Sequence, residues 1–265
     1  MSWGGEATGE AMASAALRAK SLLRAAVDVV MPPLALDRVR GAGAMQSPGL
    51  TAEAWAKIAF LEAPVCDGCG APQAFDAGPE ARCPACLARK RAFDRVRAAV
   101  TYDDASRDLI LKLKRADRTD LAGLFALWLG RAARDLIEDA DVVIPVPLHP
   151  ARLIARRFNQ AAEIARPLAR RACLTYLPDA LVRRRDTQSQ GGRSASGRRR
   201  NVQAAFAVPR RAWPRVAGQR ILLVDDVLTT GATAEGCARV LKAAGASAVH
   251  VAAVARVQER EAQPI

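Results

Sequence analysis

A chain of 265 residues, 51% of them hydrophobic, is long enough for one large domain with a buried core and a small one beside it. Its formal charge of +13 points to a polyanionic partner: nucleic acid, a phosphorylated substrate or an anionic membrane surface. No run approaches the roughly 20 apolar residues of a spanning helix, so membrane insertion is excluded and a soluble, cytoplasmic protein is expected. Arginine enrichment from genome composition would produce the same total charge. The distribution argues otherwise, because between Arg183 and Arg220 the only acid is Asp186.

In chain order, residues 11–31 form an amphipathic helix. Leu17, Leu22, Leu23, Val27 and Val30 lie on or near one face, and Pro32 and Pro33 end it. Residues 1–65 are helical and loop-rich, residues 66–92 hold paired cysteines, and residues 93–265 alternate apolar strands with amphipathic helices. That alternation is the mark of an α/β domain with a mainly parallel sheet. Strands are expected at 97–102, 141–144, 205–208, 220–224 and 248–254. Helices are expected at 106–114, 119–137, 156–171 and 232–244. Residues 188–200, rich in Gly, Ser, Gln and Arg, read as a mobile loop.

Cys66, Cys69, Cys83 and Cys86 form C-x2-C-x13-C-x2-C. Two residues between cysteines let a tight turn aim both thiolates at one ion, and the second pair completes a tetrahedron. Gly68 and Gly70 ease the first turn and Pro84 stiffens the second. With all four positions filled by cysteine no open coordination site remains, so the expected metal is structural Zn2+. Cys173 and Cys237 read as ordinary buried small residues.

The segment richest in chemistry is 221–233. An apolar strand (Ile221, Leu222, Leu223, Val224) delivers Asp225 and Asp226 to its C-terminal edge. Thr229, Thr230, Gly231, Ala232 and Thr233 then turn into a helix. Backbone N–H groups, hydroxyls and the helix dipole converge there as in a phosphate pocket. The carboxylates suit sugar hydroxyls and hydrated Mg2+. Thr233 is a candidate helix cap.

This segment resembles the phosphoribosyl pyrophosphate (PRPP) motif of type I phosphoribosyltransferases along its whole length. The resemblance implies that Asp225 and Asp226 face the ribose hydroxyls, while Thr229, Thr230, Gly231, Ala232 and Thr233 enclose the 5′-phosphate of Mg-PRPP. A wider match, over roughly residues 60–256, resembles the ComF family. It comprises Pro145, Val146, Pro147, Leu148, His149 and Pro150, then Arg157, Phe158, Asn159 and Gln160. Further on come Thr187 with Gln190 and Arg198 with Asn201, and a zinc ribbon precedes the whole.

By that resemblance the fold is a type I phosphoribosyltransferase-like sheet flanked by helices, behind a small zinc-ribbon lobe. The turn at Pro145, Val146 and Pro147 presents amides to pyrophosphate. Gln190, Arg198 and Asn201 sit on a loop that closes over the site, with Arg198 assisting Asp225 and Asp226 in catalysis. Implied partners are a PRPP-like small molecule, single-stranded DNA, and DNA-uptake helicase or recombination-mediator proteins. Arg157 and Asn159, opening a helix, either bind anions or cap it, and His149 is a turn-packing imidazole more readily than a base. Two departures matter. The family usually has glycine where Arg157 stands, and residues 32–60 lack cysteine, so a first zinc-ribbon half is degenerate here. Pentosyl transfer to an acceptor, DNA handling without turnover and PRPP sensing all remain open on this reading.

Overall fold

The computed structural model describes residues 49–114, 118–184 and 205–258. Its contacts divide the chain into two compact units, Met1–Ala52 and Glu53–Ile265. The second unit, described here, holds both the cysteine pairs and the sheet. The helix expected at 11–31 and the loop expected at 188–200 lie outside the described residues.

After the short helices α1 (Ala52–Ala56) and α2 (Pro84–Ala88) come β1 (Arg95–Thr101), α3 (Asp104–Lys114), α4 (Leu121–Ala132), α5 (Arg134–Glu138) and β2 (Val142–Pro145). Next are α6 (Pro150–Arg156), α7 (Gln160–Ala172), β3 (Thr175–Tyr176), β4 (Val182–Arg183) and β5 (Phe206–Ala207). The last elements of the described residues are α8 (Trp213–Val216), β6 (Arg220–Leu228), α9 (Ala232–Ala243) and β7 (Ala248–Arg256). Five strands form one sheet in the order β1-β7-β6-β2-β3, every neighbouring pair parallel. The separate β4–β5 ribbon is antiparallel.

A parallel sheet needs cover on both faces, and its strands are apolar throughout rather than alternating. In β6, Ile221, Leu222, Leu223 and Val224 are all fully buried, each contributing about 1.5–3 kcal/mol of hydrophobic stabilisation. Helices α4 and α7 pack against one another and against the strands, while α9 packs on β7 and the β5 ribbon. The core beneath α9 joins Phe93, Ile221, Leu223, Cys237, Leu241 and Val251.

Three expected elements differ. The single helix at 119–137 is two, broken at Ala133 (φ −111°, ψ 25°). Beyond the break Asp135 Oδ2 accepts from Arg95 and Arg97 at 2.6 and 2.7 Å, an ionic demand no local pattern announces. The helix expected at 156–171 is α7, which starts only at Gln160, and a short unforeseen helix, α6, precedes it and ends at Arg157 in the left-handed region (φ 65°). Strand β6 runs past Val224 through both aspartates to Leu228, because its pairing with β7 continues at Asp225↔Ala253, Val227↔Ala255 and Leu228↔Arg256.

Candidate functional site

The C-terminal edge of the sheet, where open α/β folds bind ligands, gathers most of the residues singled out in the sequence. Asp225 and Asp226 stand on the last turns of β6. The amide of Asp226 donates to Asp225 Oδ1 at 2.9 Å, and that of Val227 to Asp226 Oδ1 at 2.7 Å, so the backbone sets both carboxylates. Lys114, at the end of α3, places Nζ 2.8 Å from Asp226 Oδ2 with both side chains largely covered. Burial first, then the neighbouring Asp226 carboxylate, push the Asp225 carboxyl well above the usual carboxylate range; the Asp226 amide and Lys114 only partly offset this. One acid of the pair is thus matched by a cation, while the surroundings of the other disfavour its ionised form.

Thr229 and Thr230 lead exposed into Gly231, whose φ of 76° favours glycine. Gly231, not Thr233, occupies the N-cap of α9, and no side chain caps that helix. Thr233 lies inside the first turn, so its hydroxyl cannot serve the N-cap position. The first turn of α9 therefore has no side-chain cap at its N-cap position, a geometry suited to a phosphate.

On the neighbouring strand β2, Val146 N donates to Val224 O at 2.9 Å. Pro145 and Pro147 carry no N–H, so the turn's remaining amides are those of Leu148 and His149. Nδ1 of His149 accepts from Ala151 N at 3.3 Å and caps α6. Asn159 caps α7 by accepting from Ala161 N at 3.1 Å, and its Nδ2 donates to Val146 O at 2.9 Å, locking the turn to the helix. Gln190, Arg198 and Asn201 lie outside the described residues. The segment they belong to is bracketed by the β4–β5 ribbon, where Arg184 N donates to Ala205 O at 2.7 Å.

The four cysteine sulfurs lie within 4.8 Å of one another. Cys69 Sγ and Cys83 Sγ are 3.8 Å apart, the separation that four Zn–S bonds of about 2.3 Å in a tetrahedron require. Gly70 turns the first knuckle at φ 68°, and a Cβ there would meet Val96 at 3.2 Å. Burial pushes the Cys66 thiol up, but amide hydrogen bonds from Cys83 and Cys69 outweigh it and bring it to about 7. Burial pushes Cys69 up to about 11. The donor set fits a structural metal of the zinc type, which would supply charge to hold these thiols as thiolates. Of the other two cysteines, Cys237 is buried as expected, whereas Cys173 is exposed at the end of α7 in the left-handed region (φ 56°). The expectation of a buried Cys173 fails because the helix stops there.

Sequence reasoning missed three contributors. Lys114 closes an amphipathic helix as many lysines do, so nothing in its surroundings marked it. Arg89 and Arg91 bind Glu235 on α9: Arg89 Nη2 lies 2.9 Å from both carboxylate oxygens, and Arg91 Nη1 lies 3.6 Å from Oε2. Arg91 Nη1 also donates to Thr230 O at 3.3 Å, and the Phe93 ring lies about 3.5 Å from where a Gly231 side chain would sit. The segment from Arg89 to Phe93 therefore straps the cysteine lobe to the Thr229–Gly231 turn. Between lobe and turn lies a cleft of ≈ 510 Å³.

A five-stranded parallel sheet with an acidic pair and an open glycine turn at its C-terminal edge is the architecture of a phosphoribosyltransferase-type domain, and the family described as phosphoribosyl transferase domain matches residues 151–265. Over 192 residues the chain is 32% identical to the DNA utilization protein YhgH of Escherichia coli K12, covering 71% of this chain and 82% of that one. It is 30% identical over 200 residues to Competence protein F of Haemophilus influenzae, covering 73% and 85% of the two chains. Competence protein ComFC of Streptococcus pneumoniae is 31% identical over 160 residues, with 60% and 67% covered. The chain belongs to the ComF family.

Proposed function

We propose that this protein binds Mg-PRPP at the edge formed by β6, the Thr229–Thr233 turn and the turn after β2, and acts in DNA uptake or related nucleic-acid processing. The observation that carries the reading is the sequence of groups along one strand end. A covered acid pair with a lysine counter-charge is followed by a glycine at positive φ that opens a helix with no side-chain cap. The uncapped turn suits a 5′-phosphate, and Asp225 and Asp226 suit the two ribose hydroxyls. Mg2+ carried by the pyrophosphate would neutralise the leaving group.

Turnover, on this reading, is pentosyl transfer to an acceptor, with Arg198 joining the acid pair in stabilising the charge that develops. The names of the competence and DNA-utilization relatives favour a nucleic-acid setting, as does the charge of +13. Single-stranded DNA and the helicase or recombination-mediator proteins of uptake are the partners we propose, in the cytoplasm. Among the described residues no helix is long and apolar enough to cross a membrane. Structural zinc in the four-cysteine lobe completes the assignment. The alternative role, a DNA-binding or PRPP-sensing protein without turnover, predicts ligand binding with no pyrophosphate release.

Calorimetric titration of Mg-PRPP into the wild type and an Asp225→Asn/Asp226→Asn variant tests the site. Saturable binding lost in the variant supports it, and no heat from a zinc-loaded, folded wild type refutes it.

A further inference from the structure

The exposed surface that precedes β6 has no part in the site described above. We propose that Trp213, with Arg210 and Arg211, is a contact surface for single-stranded nucleic acid, the indole stacking on a base and the guanidiniums meeting phosphates. Its partner is the single strand of the preceding reading, on which the inference rests.

Among the described tryptophans, Trp55 and Trp128 sit in an aromatic cluster with Phe60, whereas Trp213 stays 47% exposed. Its Nε1 donates to Val208 O at 3.2 Å, and Ala212 and Val216, on either side of it in the chain, are fully buried. The ring is thus held in place while half of it faces water. A ligand that stacks on a ring already fixed forfeits little side-chain freedom. Every base has a π face, so such a ring accepts any sequence, and one stacked base typically changes affinity several-fold or more.

Charge around the ring has one sign. Residues 205–219 hold Arg210, Arg211 and Arg215 and no acid. Arg210 is exposed and makes no ion pair among the described residues. Asp179 reaches this surface from elsewhere in the chain, its Oδ2 lying 2.9 Å from Arg215 Nη2 and 4.0 Å from Arg211 Nε. Exposed pairs of that kind are weak, so a phosphate can take the place of the carboxylate on Arg211. Arg184, also exposed, is tied to Ala205 at the open end of the β4–β5 ribbon. From Ala205 to Arg210 the chain reaches at most about 17 Å, so the cations form a track that suits a phosphodiester strand.

Two other anionic partners fit less well. A duplex keeps its bases stacked on one another and gives the ring nothing to cover. A bilayer surface calls for a broad apolar face, and here Ala212 and Val216 are turned into the core. The surface is also separate from the acid pair. Strand β6 opens at Arg220, just after α8, and Asp225 lies about 16 Å further along it.

The test sets a thymidine oligomer of about twelve nucleotides against an abasic oligomer of equal length, each titrated with the full chain at low salt and followed by fluorescence anisotropy. Wild type is expected to prefer the thymidine oligomer. Trp213→Ala should weaken its binding about five- to hundredfold and leave the abasic oligomer unaffected. Trp213→Phe should keep most of the preference, and Trp213→Leu, apolar but without a π face, should lose it. Arg210→Ala/Arg211→Ala should weaken both oligomers and flatten the slope of log K against log salt by about 1.4. Calorimetric titration with Mg-PRPP should not distinguish these variants from wild type. Thymidine-oligomer affinity unchanged in Trp213→Ala and in the double arginine variant overturns the surface while the single-strand partner stands. Equal retention of the preference by Trp213→Leu overturns the stacking role. No binding of either oligomer by wild type removes the partner, and the surface with it. Trp213-dependent attachment to phosphatidylglycerol vesicles, with no preference between the oligomers, overturns the nucleic-acid contact in favour of a membrane one.

Discussion

Replacing Asp225 with asparagine is expected to stabilise the ligand-free protein while destroying its affinity for Mg-PRPP. The carboxyl is covered and stands beside the Asp226 carboxylate, and both circumstances oppose its ionised form. Asparagine has the same shape, and its Oδ1 can keep the 2.9 Å hydrogen bond from the Asp226 amide. Removing an unfavourable charge at a site strained for function is commonly worth about 0.5–2 kcal/mol. For a domain of this size that corresponds to a rise in Tm of roughly 1–8 °C. Mg-PRPP at a hundred times its Kd should add about 2.7 kcal/mol to the wild type and little to the variant, reversing the order of stability. The pH dependence has a definite sign. A carboxyl whose folded pKa lies above its unfolded value favours folding when protonated, and that advantage is lost as pH rises through the folded pKa. The wild type should therefore close the gap on Asp225→Asn as pH falls from neutral. Denaturant unfolding of both proteins at several pH values, with and without Mg-PRPP, measures all of this. A variant less stable than wild type at neutral pH, or a gap that widens on acidification, would refute the reasoning.

Two other outcomes follow from the geometry. Arg157→Gly should raise the denaturant midpoint by the equivalent of about 0.5–1 kcal/mol, because a non-glycine residue at φ 65° carries a strain of about 1–2 kcal/mol that exceeds glycine's entropic cost. Arg157→Ala is the control and should bring no such gain, since it removes the charge without easing the backbone. Cys83→Ser should drop bound zinc well below one per chain by atomic spectroscopy. It should also raise amide exchange at Thr230 and Gly231, reached through the Arg89–Phe93 strap, while the far-UV signal of the parallel sheet persists.

The parts of this fold legible in the sequence are those where one local rule dominates. The run of apolar residues before Asp225 marks β6 because a strand covered on both faces is apolar throughout. The cysteine spacing marks the metal knuckles because two such pairs thirteen residues apart can supply four thiolates to one ion. What escaped were features decided by distant partners. Just beyond the break at Ala133, Asp135 meets Arg95 and Arg97 on another element. The end of α6 at Arg157 is hidden by an arginine in a conformation that glycine usually signals. At the site, the acid pair and its turn were readable as a continuous motif. Lys114 was not, for its meaning comes from the 2.8 Å contact with Asp226 and not from its neighbours in the chain. Glu235 reads as an ordinary first-turn acid of α9, yet it is almost fully buried and held by two arginines from the cysteine lobe.

The small antiparallel ribbon of β4 and β5 has a consequence for how such a protein tolerates change. Arg183 pairs with Phe206 in register, and Arg184 with Ala205 just beyond. The two ends of residues 185–204 are thus pinned side by side, whatever lies between them. Lengthening a segment with fixed ends costs only about 0.6 kcal/mol per doubling of its length. Insertions between Arg184 and Ala205 are expected to leave the five-stranded sheet and the Asp225–Gly231 segment in place. A reporter domain or crosslinking peptide spliced between Arg184 and Ala205 is therefore expected to be carried by an otherwise unchanged sheet.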